Sequence, residues 1–141
     1  MGLLLLATAA AGCGESAEHH FLKHDLAPLR LRLAQQKSQV GATLKQVQRG
    51  DVAALRVARY EVAQMGATVR RLGALHAPAS VTAEQRAYVR ANARVVASLR
   101  RFTAALASGR AATVDPVATG AQRAIGASVR ADVALQAALR R

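Results

Sequence analysis

The feature that most constrains this chain is an apolar stripe that returns every three or four residues. Leu22, Leu26, Leu29, Leu33, Gln36, Val40, Leu44 and Val47 follow this spacing, which places them on one face of a helix. Pro28 lacks an N–H and belongs in a first turn. The spacing therefore predicts a helix from about Asp25 to Gln48, ended by Gly50.

The same rhythm returns three times. Asp51 is a good N-cap for a second helix, with Leu55, Ala58, Val62, Met65, Val69 and Leu72 inward and a stop near Leu75. A third opens at Thr82-Ala83-Glu84-Gln85, a capping-box pattern in which Thr82 and Gln85 satisfy exposed N–H groups reciprocally. Its inner face reads Tyr88, Asn92, Val95, Leu99, Phe102 and Leu106, and Ser108-Gly109 closes it. A fourth begins at Asp115-Pro116, a cap followed by proline at the first helical position. It presents Val117, Ala121, Ile125, Val129, Leu135 and Leu139.

These segments, approximately 25–48, 51–75, 82–108 and 115–140, predict an all-α protein: an antiparallel up-down-up-down four-helix bundle over 25–141. Composition agrees. Hydrophobic residues make up 52%, much of it alanine, with 3% aromatics, three prolines and no Trp. Alanine is the best helix former and lets helices approach closely. The length of 141 residues suits one domain. A faint repeat, Met65–Arg70 against Ile125–Arg130, suggests two related hairpins.

The net charge is +12. It favours anionic lipid headgroups, cell-wall polyanions or nucleic acid and disfavours self-association. Arg86, Arg90 and Arg94, spaced by four, form a ridge able to contact anions. Nucleic acid is disfavoured, because the two Tyr and two Phe fall mostly at core positions and leave little to stack on bases.

Ahead of the helices stands Leu3-Leu4-Leu5-Leu6-Ala7-Thr8-Ala9, followed by Ala10-Ala11-Gly12-Cys13. The run is too short to span a membrane. It resembles the lipobox signal of bacterial lipoproteins, with Ala10 where leucine is preferred. The resemblance implies that residues 1–12 are a signal peptide removed before Cys13, and that the cysteine sulfur carries a diacylglycerol. Cys13 is the only cysteine, so an internal disulfide is impossible and the thiol calls for another role. No Lys or Arg precedes the apolar run, and the expectation is a basic segment upstream of the assigned start. Residues 13–24 then read as the lipidated cysteine and a flexible tether.

Candidate ligand residues are few. His19, His20 and His24 are the one cluster with metal-ligand chemistry, but within a tether they read as solvated, with no metal site assigned. Asn92 and Gln36 interrupt apolar stripes, which fits a register-fixing pair or a small polar cavity. No Gly-rich phosphate loop, nucleophile–base pair or repeated carboxylate motif occurs, so neither an enzyme nor a cofactor is expected. The expectation is a lipid-anchored structural or interaction module of the cell envelope, on the extracytoplasmic side of a membrane. The alternatives are an envelope small-ligand or metal-binding module and, second, a cytosolic basic nucleic-acid-binding protein.

Overall fold

The computed structural model describes residues 16–109 and 111–140. Among them every regular element is helical. A short helix α1 (Ala17–His20) runs through a π-helical stretch (Phe21–Leu26) into α2 (Ala27–Gln48). Then come α3 (Val52–Ala74), a 3-10 turn (Ala79–Val81), α4 (Thr82–Ala107) and α5 (Ala111–Ala138). The four long helices pack consecutively: α2 on α3, α3 on α4, and α4 most extensively on α5. Among the described residues, no helix is long and apolar enough to cross a membrane.

Three of the expected inner faces are inward. Leu26, Leu33, Gln36 and Val40 are buried on the first. Ala58, Val62, Met65, Val69 and Leu72 are buried on α3, and Tyr88, Asn92, Val95, Leu99 and Phe102 on α4. Asp51 caps α3 as its chemistry predicts, its carboxylate accepting from the Ala54 N–H at 3.1 Å. Gly50, at φ +97°, makes the turn between α2 and α3 in a backbone region that favours glycine.

The structure differs from expectation in four places. The stretch read as a tether is helical from Ala17, and Phe21 is buried in the core beside Leu26. An aromatic ring near a chain end removes enough apolar surface from water to dock its segment. The capping box at Thr82 does not form. Thr82 instead donates its hydroxyl to the Ala77 and Pro78 carbonyls at 3.2 and 2.9 Å. The buried Gln85 amide donates at 2.6 Å to the Leu72 carbonyl near the end of α3, which also accepts from the Leu75 N–H at 3.4 Å.

The last helix starts at Ala111, so Pro116 lies inside it rather than at its first position. There the proline removes a single helical hydrogen bond, close to an end where several N–H groups lack intrahelical partners anyway. The fourth difference lies on α5, where Ala121 and Leu135 are buried as expected but two other positions are not. Ile125 and Val129, expected inward, are 41% and 57% exposed, while Ala121, Ser128, Leu135 and Ala138 are buried. Small side chains let α5 lie close against α4, whose own buried face includes Ala91, Ser98 and Thr103. Close packing of small residues wins here over burial of the bulkier β-branched ones.

Candidate binding cleft

Where α2 and α5 face one another, side chains rather than backbones bridge the gap. The result is a cleft of about 380 Å³ lined by residues of α2 (including Arg30, Leu31 and Lys37), by Tyr88 of α4, and by Ser128, Val129 and Asp132 of α5. The helical spacing explains the set. Arg30, Ala34 and Lys37 sit four and three residues apart on α2, and Ser128 and Asp132 four apart on α5, so each group shares a face.

Beside the buried Leu33, Tyr88 and Ser128, the cleft carries a charged pair. Arg30 meets Asp132 in a two-point contact, Nε to Oδ1 at 2.9 Å and Nη2 to Oδ2 at 2.8 Å. Both side chains are mostly buried, at 20% and 28% exposure. Gln136 donates to the same carboxylate at 2.7 Å. Burial acts to lower the Arg30 guanidinium, but the hydrogen bonds and charge of Asp132 outweigh it and raise the group above its ordinary range. Tyr88 is pushed up, first by burial and then by the Asp132 charge, against the opposing pull of Arg30.

Lys37 is different. Its ammonium donates to the Ser128 hydroxyl at 3.2 Å. That hydroxyl spends its own hydrogen on the Ile125 carbonyl at 2.8 Å, so it faces Lys37 as an acceptor. Burial pulls Lys37 below its ordinary value of 10.5, only partly offset by the field of Asp132. The cleft thus holds two cations and one carboxylate, and the carboxylate is already engaged by Arg30 and Gln136.

The residues singled out in the sequence are dispersed. Cys13 lies outside the described residues. His19, His20 and His24 are exposed, with the rings of His20 and His24 4.7 Å apart and tilted by 37°. Among the described residues no group of three or more His, Cys, Asp or Glu is placed to hold a metal. His76, isolated in sequence, comes beside His20 and Asp25 around an open recess.

Asn92 is 1% exposed; its amide donates to the Tyr88 carbonyl at 2.9 Å while its Oδ1 has no partner. Gln36 Oε1 is likewise buried without a partner, and no hydrogen bond joins it to Asn92. Arg86, Arg90 and Arg94 are all exposed along α4. The cleft residues Arg30, Lys37, Ser128 and Asp132 gave no signal in sequence, because each is an ordinary polar residue of an amphipathic helix until its distant partner is known. Comparison of the chain with known protein families, with curated proteins and with solved structures finds no match.

Proposed function

We propose that the chain is a lipid-anchored protein of the cell envelope, an antiparallel up-down-up-down four-helix bundle that serves as a structural or interaction module on the extracytoplasmic side of a membrane. The observation that carries this reading is Ala10-Ala11-Gly12-Cys13 after a short apolar run, ending in the only thiol of the chain. A lone cysteine at that place has an evident use as a lipid attachment point.

The order of cross-helix contacts supports the antiparallel arrangement. Going up α2 from Arg30 to Lys37 runs down α5 from Asp132 to Ser128. Likewise Gln85 reaches back to Leu72, while Arg100, further along α4, lies against Gly66, earlier on α3. The charge of +12 and the exposed Arg86, Arg90 and Arg94 suit an anionic lipid or cell-wall surface. Each basic side chain near such a surface contributes on the order of 1 kcal/mol, screened by salt.

Fractionation of cells expressing the wild type and Cys13→Ala tests this. Under a high-salt wash the wild type stays with the membrane and Cys13→Ala is released. Equal release of both proteins would overturn the anchor.

A further inference from the structure

The seam between α2 and α5 contains more than is needed to hold two helices together. Lys37 is a half-buried cation whose hydrogen-bond partner, Ser128, supplies a dipole and no charge. The one carboxylate nearby is taken up by the two-point contact with Arg30 and by Gln136. A half-buried ammonium facing a hydroxyl is incompletely compensated, and an anion entering the cleft would complete it.

The rim has the opposite character. Leu31 on α2 is 63% exposed and Val129 on α5 is 57% exposed, and both line the opening. The apolar strip continues along α5 one turn to either side, through the exposed Ile125 and Val133. Half-buried cations beside apolar side chains, Leu33 among the buried ones, are complementary to an amphiphile with an anionic head and a hydrocarbon body. The volume of about 380 Å³ falls at the small end of ligand sites.

We propose that the cleft between α2 and α5 binds a medium-chain aliphatic carboxylate, its head on the Lys37 ammonium and its chain along Leu31 and Val129. The local charge argues for a monoanion, since Arg30, Lys37 and Asp132 together leave one positive charge. A second copy of the chain is the poorer occupant, because two bodies of charge +12 repel. The site stands apart from the anchor, and neither depends on the other.

Isothermal titration of the full chain with octanoate tests the assignment, with acetate (no tail) and octanol (no charge) as controls. Saturable one-to-one binding of octanoate is expected, with acetate and octanol each at least tenfold weaker. Decanoate should bind about twofold to fourfold more tightly per added methylene. Lys37→Met should weaken octanoate at least tenfold while its melting temperature stays at or above that of the wild type, which separates lost binding from lost fold. Val129→Asp, at an exposed position, should weaken it similarly. Arg56→Gln, exposed on α3 and away from the cleft, should leave it unchanged. Absence of saturable octanoate binding overturns the proposal, as does undiminished binding by Lys37→Met. A loss in Arg56→Gln equal to that in Lys37→Met also overturns it, since that outcome describes general attraction to a basic protein.

Discussion

Lys37 shows how one residue can work against the fold that holds it. Its folded-state value is lowered by burial, so the unfolded chain holds the proton more tightly than the folded one. A group of this sign makes the folded state less stable while it is charged. Stability returns as pH rises from the lowered value toward 10.5, where the unfolded chain also gives up the proton. Denaturant melts of wild type and Lys37→Met should therefore differ near neutral pH, the variant being more stable by about 0.5–1 kcal/mol once the half-exposure of the group is allowed for. The gap should close toward pH 10.5; a gap that widens would contradict the assigned sign. At this scale the sequence was partly legible. Asp51 caps as its chemistry demands, whereas Thr82 turns back to the Ala77 and Pro78 carbonyls and Gln85 pairs with Leu72 near the end of α3, a partner its own segment does not reveal.

Elements were read most accurately where bulky apolar residues set the face. Leu33, Val40, Val62, Met65 and Leu99 are all buried. On α5, Ala121 and Leu135 follow the expected face, whereas Ile125 and Val129 are exposed and Ser128 and Ala138 are buried instead, because spacing weighted by bulk favours the larger side chains. The segment before Asp25 was misread because polar and histidine residues there obscured one aromatic anchor. Phe21→Ala should lower stability by about 3 kcal/mol, a loss typical of an emptied aromatic site, measured by chemical denaturation. A tether residue would show no change. The same variant should speed amide exchange across Ala17–Leu26, since that stretch would lose its buried contact.

The all-helical character of the described residues is evident from alanine content and spacing alone. The cleft is not. Arg30 and Asp132 are 102 residues apart in sequence, and Lys37 and Ser128 are 91 apart. No local pattern marks such pairs, and only the packing of the first long helix near the last brings them together. The proposed anchor is the reverse case, a local sequence pattern at Ala10–Cys13 that the described residues do not include. The proposed address of the molecule and its proposed ligand thus rest on different kinds of information and can fail separately.

The intact mass and N-terminal fragmentation of protein recovered from bacterial membranes address the central claim most directly. A chain beginning at Cys13, heavier than residues 13–141 by a diacylglyceryl group on the sulfur, is the predicted result. A chain that retains Met1, or that carries a free thiol at Cys13, would contradict it.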